Sequence, residues 1–301
     1  MKIYKNANLN KKHHKGVIAI GNFDGIHLGH QKVINEARKK AKSKKLPFGI
    51  ITFEPVPVMY FNSKIKNHRI NSLEQKINQL KKLKLDFLII IKFNKIFSSL
   101  TAEKFIKEII YNKTKCSFLY VSKNFKFGFK RRGNIQTLKR HEKLYNFKSL
   151  ITKPYKKDNK IISSTLIRKK IIDGKIHEAN TLLNRKWKIK GRVIKGRQLG
   201  RKIGFPTCNL QLNDYIVPRN GVYAVQVKGS NFNKKGIANI GFRPTFNGKK
   251  LLLETNIFGI DKNLYNKEID ISFKKFIRQE KKFKNLEHLK KQIKIDIKKA
   301  K

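Results

Sequence analysis

Apolar runs separated by polar, glycine-bearing turns mark out the first half of the chain. Val17-Ile18-Ala19-Ile20 reads as a buried strand. After a glycine-rich turn, Val33, Ala37 and Ala41 recur every fourth residue, which predicts a helix with one buried face. Pro47 stops that region, and Phe48-Gly49-Ile50-Ile51-Thr52-Phe53 reads as a second strand. Strand, helix and strand in this succession predict a βαβ unit with parallel strands. Leu73, Ile77, Leu80 and Leu83 then form a helical stripe, preceded by Ser72 and Gln75 in the manner of a capping box. That stripe is expected in the core. Residues 85–91 predict a third strand. Thr101 is placed to cap a helix that buries Phe105, Ile106, Ile109 and Ile110, and residues 117–121 predict a fourth strand. A further helix begins near Ser163 and ends at Asp173-Gly174, and a shorter one reaches Leu183. Alternation of this kind predicts a Rossmann-like, doubly wound α/β sheet.

From Trp187 the period changes. Short apolar or alternating runs at 187–193, 208–212, 222–227, 237–240, 251–257 and 269–273 are punctuated by Gly, Pro or Asn. Six short strands with turns between them predict a small β-barrel. Asn285 is placed to cap a C-terminal helix through Leu286, Leu289, Ile293 and Ile297. The boundary is expected near residue 185, giving domains of 1–184 and 185–301.

Composition changes this picture in two places. The formal net charge is +53, from 72 Lys and Arg against 19 Asp and Glu. Such a balance suits nucleic-acid binding, but the lysines are spread over both halves and form no recognised module. Compositional drift accounts for them, with non-specific attraction for RNA at low salt and no specific nucleic-acid partner. Cys116 and Cys208 are far apart with no histidine cluster beside them, so neither a zinc site nor a disulfide framework is implied. The start of the chain lacks the apolar core of a signal peptide, and no run approaches the length of a membrane span. A cytoplasmic protein without a membrane partner is expected.

Candidate chemistry concentrates in a few stretches. In Gly21-Asn22-Phe23-Asp24-Gly25-Ile26-His27-Leu28-Gly29-His30, two histidines sit three apart at the first turn of a helix, on one face of it. Unpaired N–H groups and the helix dipole point to the same place, and glycines allow close approach to the backbone. This is a phosphate-handling turn. Glu54-Pro55-Val56-Pro57 follows the second strand, at the end where open α/β sheets place ligands. After the fourth strand, Asn124, Phe125 and Phe127 lie in a loop that interleaves aromatics with cations and runs to Gly133. Such a loop suits a planar ring plus a phosphate, and equally a solvated basic turn packing its aromatics on the core. Ser164 and Thr165 suit an N-cap, or with Arg168 one turn in, triphosphate oxygens.

The second half carries two more. Gly200, Lys202, Gly204 and Pro206 make a turn suited to diphosphate. Thr207 and Asn209 share a strand face as oxygen ligands for Mg²⁺. Glu254 is a carboxylate inside the apolar run at 251–257. It is either a solvent-face residue or a general base for a hydroxyl attacking phosphorus.

In order, the chain shows GNFDGIHLGH, TFEPVP, NFKFGFKRRGN and ISSTLIR, then GRKIGFPTCN, GVYAV, NIGFRPTF (Asn239 to Phe246) and IRQEKKF. These strings resemble the bacterial FAD synthetases fused to a riboflavin kinase domain, over nearly the whole chain. The resemblance implies two steps: ATP phosphorylates riboflavin to FMN in the barrel, and the N-terminal domain transfers AMP from a second ATP to FMN, giving FAD and pyrophosphate. It assigns His27, His30 and the Gly21–Gly29 backbone to ATP phosphates, with Ser164, Thr165 and Arg168 on the triphosphate. Asn124, Phe125 and Phe127 would meet the flavin. In the barrel, Gly200, Lys202, Gly204 and Pro206 would hold nucleotide, Thr207 and Asn209 would bind Mg²⁺-ATP, Glu254 would act as base, and Arg278 would help seat the flavin. The chain departs from the family at Val56, commonly histidine, at Ser122 and Asn124, commonly glycine and aspartate, at Asn256, a histidine, and at Asn266, a glycine. Rival readings are a riboflavin kinase with a degenerate N-terminal domain, an adenylyltransferase for another phosphorylated substrate, and a nucleic-acid-binding protein defined by its charge.

Overall fold

A computed structural model describes residues 1–196, 198–245, 248–260 and 262–301, with residues 242–245 and 248–250 defined along the backbone alone. Phe246 of the NIGFRPTF string lies outside the described residues. By packing, residues 1–65 and 73–163 form one unit, and residues 66–72 and 164–301 a second.

In the first unit, β1 (Lys2–Tyr4), β2 (Val17–Ile20), β3 (Phe48–Glu54), β4 (Phe87–Lys92), β5 (Phe118–Ser122) and β6 (Lys148–Thr152) form one sheet. The order is β1-β4-β3-β2-β5-β6 and every pairing is parallel. The chain winds outward from β2 in both directions, so the switch point lies between the carboxyl ends of β2 and β5. The helices are α1 (Leu28–Lys44), α2 (Pro57–Phe61), α3 (Leu73–Lys81), α4 (Lys95–Ser98), α5 (Ala102–Phe105) and α6 (Ile135–His141). Val17, Ala19, Ile50 and Leu88 pack with Ile34 and Ala37 of α1 and Leu80 of α3. Ile18, Ile20, Ile51 and Ile89 pack with Phe105, Ile106, Ile109 and Leu138 on the other side. Alternate strand residues thus feed two cores, as a sheet covered on both faces requires. The Thr101 hydroxyl accepts from the Lys104 N–H at 3.2 Å, and the chain continues from α5 in π-type turns over Ile106–Thr114. The sheet is the Rossmann-like one the pattern predicts, with two short strands, β1 and β6, added at its edges. A ribbon of β7 (Lys156–Lys157) and β8 (Lys160–Ile161) follows.

The second unit carries α7 (Ser164–Ile172), α8 (Ile176–Leu183), β9 (Lys188–Arg192), α9 (Leu199–Lys202), β10 (Cys208–Gln211), β11 (Gly221–Lys228), β12 (Asn233–Thr245), β13 (Gly248–Ile257), β14 (Glu268–Arg278) and α10 (Leu286–Ala300). The six strands are antiparallel in the order β10-β13-β12-β11-β14-β9. A bridge between Ile194 and Asn209 brings the chain after β9 against β10, so the barrel is nearly closed. Ile293, Ile297 and Ala300 of α10 cover Val222, Ala224 and Ile237. The Asn285 side chain caps that helix, accepting from the His288 N–H at 3.0 Å.

Residues 66–72 and the helices α7 and α8 belong to this unit by packing. Trp187, 1% exposed, donates its indole N–H to the Ile70 carbonyl at 2.9 Å. The Arg69 guanidinium lies 3.4 Å from the Asp214 carboxylate, and the Arg69 carbonyl accepts from the Ile216 N–H. Among the described residues no helix is long and apolar enough to cross a membrane.

Candidate active sites

The turn after β2 reaches the switch point in strained backbone. Phe23 and Ile26 adopt φ of 46° and 39°, left-handed values that cost a side chain energy, and Gly25 takes 86°. His27 is the N-cap of α1: its Nδ1 accepts from the His30 N–H at 3.3 Å, which leaves the proton of the neutral ring on Nε2. The His27 and His30 rings stack with centroids 3.6 Å apart, and Phe23 meets His30 edge-on at 5.2 Å. Gly29 makes this stack possible. A Cβ there would sit 3.1 Å from the His27 ring and 3.1 Å from the Ile162 carbonyl oxygen. The two histidines are therefore brought together, with Asp24 and His27 buried beneath.

The support below this turn was not visible in the apolar pattern. The Asn22 carbonyl accepts from the Thr52 hydroxyl on β3 at 3.1 Å and from the Lys76 ammonium on α3 at 2.9 Å. Lys76 is 1% exposed and Thr52 fully buried. The signal available was position: Lys76 is one turn from Leu73 and Leu80, on the buried face of the stripe.

Across the switch point, the loop after β5 is closed by paired backbone bonds between Phe127 and Gly133. Phe127 is 7% exposed and packs 5.3 Å from Phe105 in the core, with Phe125 half-buried and stacked over it at 5.4 Å. Asn124 is exposed at the loop's tip. Phe127 is thus a floor for Phe125. Val56, buried, is the residue before α2. Ser164, Thr165 and Arg168 open α7 in the second unit, where Arg168 Nε donates to the His68 carbonyl at 2.9 Å.

In the barrel, register does what turns do in the sheet. Glu254 on β13 pairs with Asn209 on β10 and with Asn239 on β12, so three polar side chains lie in a row on one face. Leu253 and Thr255, fully buried, take the opposite face, which explains how a carboxylate fits inside an apolar run. The Asn256 amide donates to the Pro206 carbonyl at 2.7 Å and ties the glycine-rich turn to β13. Phe205 N–H bonds back to the Gly200 carbonyl at 2.8 Å, and Gly204 takes φ of 85°. A Cβ on Gly200 would lie 2.4 Å from the Phe205 carbonyl oxygen and 3.3 Å from Thr207 Oγ1; one on Gly196 would lie 2.1 Å from Asn209 Nδ2. Gly200, Pro206, Thr207, Asn209 and Glu254 are thereby gathered, with Lys202 exposed on α9. Burial pushes the Cys208 thiol up to about 12, so it is no nucleophile at neutral pH.

Thr207 and Asn209 supply neutral oxygens. Among the described residues no group of three or more His, Cys, Asp or Glu could hold a metal alone. Such a donor set fits a hard cation that is carried largely by phosphate oxygens, as Mg²⁺ is with ATP. Arg278 makes a fork–fork pair with Asp296 of α10, at 2.9 and 2.7 Å, and its guanidinium lies 5.8 Å from the Phe283 ring centre. Asp296 is 1% exposed and also accepts from Gln292. Lys76 and Asp296 are neighbours of the candidate sites that the pattern of the chain did not single out, and Asn239 opens the NIGFRPTF string without standing out in it as a candidate site residue. Asn266, where the resembled family has glycine, takes φ of 60°, a left-handed conformation that asparagine tolerates better than most residues.

Comparison with known proteins gives two family matches, FAD synthetase over residues 9–166 and riboflavin kinase over residues 183–301. A bifunctional riboflavin kinase/FMN adenylyltransferase from Buchnera aphidicola subsp. Schizaphis graminum is 44% identical, covering 96% of this chain and 94% of its own. One from Haemophilus influenzae is 40% identical over 94% of this chain and 92% of its own. A crystal structure described as a macrolide-efflux protein from Streptococcus pneumoniae superimposes with a TM-score of 0.86 at 29% identity, covering 98% of this chain and 97% of that one. A parallel sheet with a histidine-capped turn at its switch point, a barrel with an in-register carboxylate, and relatives matching nearly end to end agree: the chain belongs to the bifunctional riboflavin kinase/FMN adenylyltransferase family.

Proposed function

We propose that the chain carries out both reactions of its family in succession, with ATP, riboflavin and FMN as substrates. In the barrel, Glu254 takes the proton of a riboflavin hydroxyl as its oxygen attacks the γ-phosphorus of ATP, and ADP leaves. Thr207 and Asn209 would hold Mg²⁺, which when bound neutralises charge between phosphate oxygens. Gly200, Lys202, Gly204 and Pro206 shape the nucleotide turn, and Arg278, oriented by Asp296, stands on the flavin side. The observation that carries this reading is the row Asn209–Glu254–Asn239: a carboxylate flanked by two amides on one strand face.

In the N-terminal sheet, an FMN phosphate oxygen attacks the α-phosphorus of ATP and pyrophosphate leaves. The attacking phosphate is already ionised at neutral pH, so the step needs charge neutralisation and alignment more than a base. His27, His30 and the backbone from Gly21 through Gly25 to Gly29 serve that end, with Asn22, Phe23 and Asp24 shaping the turn. Asn124 and Phe125, over Phe127, face the flavin. The nucleotide role of Ser164, Thr165 and Arg168 rests on the ISSTLIR string alone. Residues 1–184 and 185–301 are the corresponding functional domains. Cys116 and Cys208, buried and outside any disulfide, suit a reducing cytoplasm.

The test is a time course with riboflavin and Mg²⁺-ATP, separating the flavins. FMN that rises and then converts to FAD supports both steps. FMN that persists, even when supplied directly, overturns the adenylylation reading and favours a kinase with a degenerate N-terminal domain. No product from a folded sample overturns both.

A further inference from the structure

Among the described residues Lys76 is the one buried lysine, 1% exposed, and the chemistry above makes no use of it. An ammonium removed from water is costly unless something repays it. Here its Nζ donates to the Asn22 carbonyl at 2.9 Å and contacts Thr52 Oγ1 at 3.4 Å, while Thr52 donates to the same carbonyl at 3.1 Å. Two donors from two different elements, α3 and β3, converge on one acceptor in the phosphate turn.

The consequence follows from peptide geometry. In a planar trans peptide the carbonyl of one residue and the N–H of the next point in opposite directions. Holding the Asn22 carbonyl toward β3 and α3 therefore holds the Phe23 N–H away from them. Phe23 is also the first of this turn's two non-glycine residues at positive φ, so the plane that precedes it would relax if released.

We propose that Lys76, with Thr52, is a positioning residue for ATP in the adenylyl-transfer site: it locks the Asn22–Phe23 peptide so that the turn presents the Phe23 N–H to the phosphates. The inference rests on the adenylylation reading above. It touches neither flavin nor reacting atoms. Its loss should weaken the use of ATP and leave FMN recognition intact.

The test uses the full chain and compares Lys76→Met, Thr52→Val and, as a control for disturbance of α3, Leu80→Ala. Lys76→Met should raise KM for ATP in the adenylylation of supplied FMN by about tenfold, with KM for FMN within about twofold. Thr52→Val should raise it by about threefold. Leu80→Ala should lower the melting temperature without that selective change. Phosphorylation of riboflavin, made on the same chain, should be unchanged in all three. Wild-type KM for ATP in a folded Lys76→Met protein overturns the inference. So does an equal rise for ATP and FMN that Leu80→Ala reproduces. Should Lys76→Met fail to fold, Thr52→Val decides in the same terms. Failure of the unaltered chain to make FAD would instead overturn the adenylylation reading, and this inference with it.

Discussion

The two proposed phosphate sites are built from opposite materials. In the parallel sheet the site is mostly backbone: a turn at a switch point, a helix N-terminus, glycines that admit close contact, and two histidines held in a stack. In the antiparallel barrel it is mostly side chain, because neighbouring strands in register deliver Asn209, Glu254 and Asn239 side by side. A parallel sheet offers its strand ends to ligands, whereas a barrel offers its ladder. Chemistry in the first should be robust to single polar substitutions and sensitive to what fixes the turn. Chemistry in the second should hinge on one carboxylate.

That contrast breaks most sharply at Glu254. Glu254→Gln keeps the shape and removes the proposed base, and should lower kcat for riboflavin phosphorylation by roughly a hundredfold or more. Adenylylation of supplied FMN should be unaffected, and flavin chromatography of both reactions reads the split. Asp296→Ala is next. It strands the half-buried guanidinium of Arg278, and losing one member of a buried pair costs about 3 kcal/mol. Denaturant unfolding should show that loss together with a raised KM for riboflavin. In the sheet, Gly29→Ala forces the His27 ring and the Ile162 carbonyl apart by a few tenths of an ångström, which should reduce adenylylation by roughly tenfold while leaving phosphorylation intact.

How much of this was legible in the sequence differs between the halves for a physical reason. The barrel strands declared themselves by turn residues and alternation, and the central sheet strands by unbroken apolar runs. β1 and β6 did not, because an edge strand such as Lys148–Thr152 buries too few side chains to leave a pattern. Glu254 stood out as a charge in an apolar run. Its partner Asn239 could not, since cross-strand register is set by the whole ladder. Lys76 escaped because lysine at a helical position reads as solvent-facing unless its place on the apolar stripe is weighed against its charge. Phe127 was legible as an aromatic with two open readings, and the structure shows the one that packs it on the core.

The smallest effect sharpens the comparison from outside both sites. Burial, with help from the Lys12 charge, holds the His13 imidazole below its usual range, and Tyr4 bonds its Nδ1 at 2.8 Å. Unfolded, this histidine takes up a proton near its ordinary value of about 6.5. Native, it does so only at lower pH. Its contribution is therefore complete above that ordinary value and is lost as pH falls toward the depressed one. The melting temperature should drop between pH 7.5 and 5.5 by less in His13→Leu than in the unaltered chain.

One feature of the chain's path bears on modularity. The second unit borrows residues 66–72 from the middle of the first unit's sequence, where the Ile70 carbonyl receives the Trp187 indole and Arg69 meets Asp214. The two units are not beads on a string, and no single cut in the chain separates them. A gene fragment beginning near residue 185 would encode every barrel strand and yet leave a buried indole without its acceptor. Exchange of either half between relatives would then have to carry this seven-residue loan with it, so the two enzymes are bound to inherit together.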